Sequence, residues 1–130
     1  MMTEKINSEI KFIKQGIGSW ISEHTEVTAV SADTVEVATT EIDAYGDTIY
    51  CFVKKCRNKF QISDEGRILF KLDPGQLDTE LYQTAEEIAL GVGFDFAEDD
   101  CSISVVTTRE NLVQAIVKLA QLQLAISYLG

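Results

Sequence analysis

The stretch from Thr107 to Leu129 sets the tightest limit on what this chain can fold into, because it is the longest and most apolar periodic segment present. At a helical period Leu112, Ala115, Ile116, Leu119, Leu122, Ile126 and Leu129 share one broad stripe, and Asn111, Gln114, Lys118 and Gln121 form a narrow polar ridge. Val113, Val117, Ala120 and Leu124 widen the apolar arc beyond what one sheet face covers. Thr107 or Thr108 marks the start, with Glu110 in the first turn beside the positive end of the helix dipole. A helix this apolar has to be buried on more than one side, by the rest of the domain or by a second copy. A homodimer is therefore expected, with Val113, Val117, Ala120, Leu124 and Tyr128 at its interface.

The remainder alternates between helical and strand periods. Ile6, Ile10, Ile13, Ile17 and Trp20 recur at steps of three or four and predict an amphipathic helix over 4–21, with Gly16 and Gly18 weakening its last turn. His24 follows as a solvated loop residue. Thr25 to Val30 and Thr34 to Thr39 read as a hairpin turning at Ser31-Ala32-Asp33, and Asp47 to Lys54 as a central strand covered on both sides. Asn58 to Ile62 and Arg67 to Leu72 flank Ser63-Asp64-Glu65-Gly66, a tight-hairpin signal that places Lys54, Lys55, Arg57, Lys59, Arg67 and Lys71 on one basic hairpin. Asp78 or Thr79 caps a helix over 78–91 with Leu77, Leu81, Ala85, Ile88 and Ala89 inward, closed by Gly91 or Gly93. Phe94 to Phe96 and Cys101 to Val106 are short strands around the acidic turn Glu98-Asp99-Asp100. The expected fold is one α+β domain over residues 1–130, with an antiparallel sheet of about five strands packed against N-terminal, middle and long C-terminal helices.

Charge narrows the possible partners. The net charge is −10, and Glu23, Glu26, Asp33, Glu36, Glu41, Asp43 and Asp47 occupy a stretch from Gln15 to Val53 without a lysine or arginine. A second base-free stretch from Leu72 to Thr108 holds Asp73, Asp78, Glu80, Glu86, Glu87, Asp95, Glu98, Asp99 and Asp100. Such a field disfavours direct nucleic-acid binding and anionic membranes, and favours a basic protein surface. No signal peptide opens the sequence and no window reaches the ~18 apolar residues of a membrane span. Cys51, Cys56 and Cys101 are an odd set without a close pair, which suits a reducing, cytoplasmic setting and free thiols.

The order of parts resembles the bacterial and phage proteins grouped under the domain of unknown function DUF1828. An acid-rich segment leads into a central strand (Thr40-Glu41-Ile42-Asp43-Ala44-Tyr45-Gly46-Asp47-Thr48-Ile49), and Ile62-Ser63-Asp64-Glu65-Gly66 follows. A helix then ends at Gly91-Val92-Gly93-Phe94, and Thr107-Thr108-Arg109-Glu110-Asn111-Leu112 leads into the apolar helix. The resemblance runs from Ala38 to Leu129. It implies a fold and an association with mobile elements, without an established activity.

Two function classes follow. One is a small non-enzymatic binding protein that inhibits a host defence nuclease, of the anti-CRISPR or anti-restriction type, through an acidic surface of Glu41, Asp43, Asp47, Glu86, Glu87, Glu98, Asp99 and Asp100. Its partner would be a basic protein surface such as that of a nucleic-acid-binding protein, and no cofactor or metal is expected. The alternative is a small metal-dependent, nuclease-like enzyme using Asp43 and Asp47 with a nearby lysine, although Lys54 has Phe52 two positions before it where the usual arrangement has an acid. Acids gathered on one face favour the first class. Convergence of Asp43, Asp47 and a lysine in a cleft favours the second.

Overall fold

Period-two alternation in the first half of the chain is realised in a single antiparallel sheet of six strands. The computed structural model describes residues 2–130. The strands are β1 (Glu26–Ala29), β2 (Thr34–Ile42), β3 (Thr48–Cys56), β4 (Lys59–Ser63), β5 (Asp95–Phe96) and β6 (Ile103–Thr107), in the spatial order β1-β2-β3-β4-β6-β5. The helices are α1 (Met2–Glu23), α2 (Arg67–Leu72), α3 (Thr79–Gly91) and α4 (Leu112–Ser127), the last preceded by a 3-10 turn at Arg109–Asn111.

Pairing register aligns the core-facing apolar residues of β2, β3, β4 and β6 on one face, with Phe52 of β3 on the other. Val37 lies opposite Cys51, Val53 opposite Ile62, and Ile62 opposite Val105. Leu119, Leu122 and Ile126 of α4 bury themselves against that face together with Ala85 and Ala89 of α3. Full burial of these three large side chains stabilises the domain by about 1.5–3 kcal/mol each. Two polar residues of α4 are also buried. The Gln123 side-chain amide donates to the backbone oxygen of Tyr50 at 3.0 Å, and the Ser127 hydroxyl accepts from the Ala44 amide at 2.9 Å.

The expected fold class holds, with differences that have physical causes. Arg67 to Leu72 is a helix, not a strand, and its apolar residues Ile68, Leu69 and Leu72 indeed fall at helical spacing. Ser63-Asp64-Glu65-Gly66 is accordingly a strand-to-helix corner, and the tight hairpin comes earlier, at Arg57-Asn58 between Cys56 and Lys59, with Arg57 at a φ of 59°. The basic hairpin therefore holds Lys54, Lys55, Arg57 and Lys59, while Arg67 and Lys71 belong to α2. Leu77 faces solvent at 85% exposure rather than inward, since α3 begins after it with Asp78 accepting from the Leu81 amide as its cap. Leu129 lies beyond the end of α4 and is exposed. The N-terminal helix forms but buries none of its residues, so it does not pack on the sheet as expected.

The corner after β4 is fixed by Asp64. Its Oδ1 accepts from the Gly66 amide at 2.9 Å and from the Ile103 amide at 2.8 Å, which joins β4, the start of α2 and the start of β6. Gly66 sits at a φ of 74°, and a Cβ there would run into the backbone oxygen of Asp100, so glycine is required twice over. Oδ2 of Asp64 is buried and has no hydrogen-bond partner among the described residues. Burial pushes this carboxyl from 3.8 to about 6, against the pull of the Ile103 and Gly66 amides. A raised folded-state pKa means that this group contributes stability fully below 3.8 and loses it as pH rises through about 6. In Asp64→Asn that decline should vanish: urea unfolding of the wild type should weaken between about pH 4 and pH 6, by a few kcal/mol at most, and the variant should show no matching slope.

Candidate functional site

Two places gather the acids singled out in the sequence. The first is the β2–β3 connection, whose shape Asp43 dictates. Oδ1 of Asp43 accepts from the amides of Tyr45 at 2.8 Å and Asp47 at 3.1 Å, and Gly46 supplies the φ of 86° that the turn needs. Oδ2 accepts from the Lys71 ammonium at 2.7 Å, and Lys71 also reaches the Asp47 carboxylate. β4 ends at Ser63 opposite Phe52, which leaves Thr48 to Cys51 of β3 without a β4 partner. α2 occupies that side, with the Arg67 guanidinium 4.6 Å from the Phe52 ring centroid. The result is a cleft of about 210 Å³ lined by Asp43, Asp47, Tyr50, Arg67, Lys71 and Gln123, among others.

The electrostatics of this cleft are those of a closed clamp. Burial would raise the Asp43 carboxyl, but the Lys71 hydrogen bond and the Asp47 and Tyr45 amides outweigh it and hold the group below the usual carboxylate range. Burial works to lower the Lys71 ammonium, and Asp43 and Asp47 overcome it and raise it. Lys71 therefore stays charged, Asp43 spends its oxygens on it and on backbone amides, and Asp47 turns one oxygen to it. Among the described residues no three His, Cys, Asp or Glu side chains come together as a metal-holding group. The lysines expected near the acids, Lys54 and Lys55, stand at the opposite end of β3, and the one that converges is Lys71. Glu41 lies on β2, half-buried, and does not line the cleft. Arg67, Lys71 and Gln123 carry no site signal in the sequence, where the preceding turn residues favour a strand over 67–72 and the inner face of α4 is apolar; the helical spacing of Ile68, Leu69 and Leu72 is the available signal.

The second place is a groove of about 330 Å³ between α3 and the β5–β6 turn. Glu86 of α3 and Glu98 of the turn line it together with Tyr82, Phe96, Gln83 and Cys101. Asp99 and Asp100 continue the turn, and Glu87 is exposed on α3 next to Glu86. The field is felt by its neighbours: burial first, then Asp100, Asp64 and Asp99, raise the Cys101 thiol, and burial followed by Asp73 raises the Tyr82 hydroxyl. The Asp100 carboxylate accepts from the Ser102 amide at 3.0 Å and so shapes the turn as well as charging it. Of the expected interface residues, Val113, Val117 and Tyr128 are exposed, Leu124 is half-buried, and Ala120 is taken up in the core of its own chain at 2% exposure.

Residues 39–126 match the model of the family described as the domain of unknown function DUF1828. The chain belongs to this family. No curated protein and no solved structure matches it. Both sites of this DUF1828 domain lie within the matched span, whereas α1 and β1 precede it. No helix among the described residues of the domain is long and apolar enough to cross a membrane.

Removing the clamp lysine should expose how much of the DUF1828 cleft is structural. Lys71→Met leaves the Asp43 carboxylate, 4% exposed, short of its cationic partner, and should cost about 1–3 kcal/mol in chemical denaturation. Asp47→Asn, at a carboxylate 65% exposed, should cost under about 1 kcal/mol. Because Asp43 has a depressed pKa, its contribution is present above 3.8 and is lost as pH falls through its folded-state value, so the penalty of Lys71→Met should shrink in acid.

Proposed function

We propose that this chain is a non-enzymatic binding domain that offers the groove between α3 and the β5–β6 turn to a basic segment of a partner protein. The observation that carries the reading is that Glu86 of α3 and Glu98 of the turn after β5 line one groove with Tyr82 and Phe96. A lysine or arginine laid there finds carboxylates for its charge and aromatic rings for its stem. No lysine or arginine lies between Leu72 and Thr108 to neutralise the groove from within its own elements. Glu87, Asp99 and Asp100 extend the same surface, whereas Glu41 on β2 and Asp43 and Asp47 at the β2–β3 connection do not line the groove. The fuller form of the proposal is an inhibitor of a host defence nuclease, of the anti-CRISPR or anti-restriction type, whose acidic groove occupies a cleft built for nucleic acid. Net charge supports that form, and it agrees with the link to mobile elements that the family resemblance implies.

The second reading, a metal-dependent enzyme, is favoured by the convergence of Asp43, Asp47 and Lys71 in one cleft. It requires that a divalent cation displace Lys71 from both carboxylates.

Two measurements separate the readings. Wild type and the triple variant Glu86→Lys, Glu87→Lys, Glu98→Lys, which spares Asp99 and Asp100 and their hydrogen bonds to the turn backbone, are immobilised and passed through host extract at low and high salt. The expected result is a basic nucleic-acid-binding protein held by the wild type, lost from the variant and released as salt screens the field beyond ~10 Å; equal retention on both defeats the proposal. Calorimetric titration with Mn²⁺ should give no heat that Asp43→Asn abolishes. Saturable binding lost in that variant, accompanied by cleavage of nucleic acid, would establish the enzyme instead.

A further inference from the structure

α1 is a helix of 22 residues, none of them buried. Ile6, Ile10, Ile13, Ile17 and Trp20 are each 54–57% exposed, and Ile21 beside them is exposed as well. A lone helix of this length is marginal in water, and Gly16 and Gly18 cost about 1 kcal/mol each relative to alanine. Its helicity therefore depends on packing that its own chain does not provide. The apolar residues follow one another at steps of four, three, four and three. That is the heptad repeat of a seam between helices, narrower than the broad stripe with which α4 covers a sheet.

The charges beside the seam say what lies across it. Glu9 and Lys14 occupy its two opposite flanks, five residues apart. Within one helix this spacing keeps them from facing each other. Between parallel neighbours in register, these are the two flanking positions that meet, Glu9 of one copy against Lys14 of the next. An antiparallel pair sets each flank against its own kind, and the flank bearing Glu9 also bears Glu23. The polar side of α1 carries Glu4 as well as Lys5 and Lys11, so it lacks the uniformly basic face of a membrane-surface helix. A second copy of the same helix is the occupant that fits both the spacing and the charges.

We infer that α1 is a self-association element, in which α1 helices from copies of this chain pack in parallel along the seam of Ile6, Ile10, Ile13, Ile17 and Trp20. Isoleucine at both kinds of seam position favours three or four helices over two. The assembly leaves the groove of α3 free, and it uses neither Val113, Val117 nor Tyr128 of α4. It carries several copies of one binding surface on a common stalk.

Light scattering of the full chain, whose single-copy mass is 14.4 kDa, tests this at about 100 µM and on dilution. The expected wild-type particle has three or four chain masses, and its helical circular dichroism falls as dilution separates the copies. Ile13→Asp should return the single-chain mass with the unfolding of the sheet domain unchanged, because no residue of α1 is buried in it. Glu9→Lys and Lys14→Glu should each weaken assembly several-fold, and the double swap should restore it. A wild type of single-chain mass at the highest concentration overturns the inference, with α1 then left to a foreign partner. An Ile13→Asp variant that keeps the larger mass overturns it too, since association would then run through another face such as Val113, Val117 and Tyr128. Failure of the double swap to restore assembly overturns the parallel arrangement.

Discussion

Burial of one face of α4 across the sheet is the interaction on which the rest of the domain depends. β2, β3, β4 and β6 each turn apolar residues toward Leu119, Leu122 and Ile126, and an open sheet with that face wet would be unstable. Apolar burial is non-directional and would tolerate a helix that slides. Gln123 and Ser127 remove that freedom, since each binds one particular backbone group, the oxygen of Tyr50 and the amide of Ala44. The β2–β3 connection thus takes its position from the far end of the chain, and the cleft beside it inherits that order.

Two buried carboxylates show how differently one residue type can be used in a single small domain. Asp43 has a cation and two amides, and stays ionised. Asp64 has two amides on one oxygen and, among the described residues, no hydrogen-bond partner on the other, so burial dominates and its proton is retained to higher pH. Their contributions to stability therefore run in opposite directions with pH. The first fastens a turn to a helix, and the second joins three elements at one corner.

The sequence was informative where physical periodicity is strong. The strands around Val37, Cys51 and Ile62, the cap at Asp78 and the long apolar helix are all visible as alternation or as helical spacing. It misled at Arg67 to Leu72, where a turn-forming tetrapeptide suggested a hairpin and six residues were too few for the helical pattern to prevail. That one misreading hid Lys71, and with it the clamp. Gln123 and Ser127 were hidden for another reason: a polar residue on an apolar stripe gains its meaning from a partner distant in sequence, and spacing within the helix cannot reveal it. The groove was half legible, as an excess of acids, but its walls come from α3 and from a turn that only folding brings beside it. For α1 the pattern is legible and its destination is not, because amphipathicity states that a face will be covered without stating by what.

β1 pairs with β2 along one ladder and shows solvent on both faces, and together with α1 it precedes the span shared with the family. An edge element held by a single ladder can be exchanged without opening the core, since what lies under α4 belongs to the strands beyond it. The N-terminal portion is thus an adaptable fitting on a standard body.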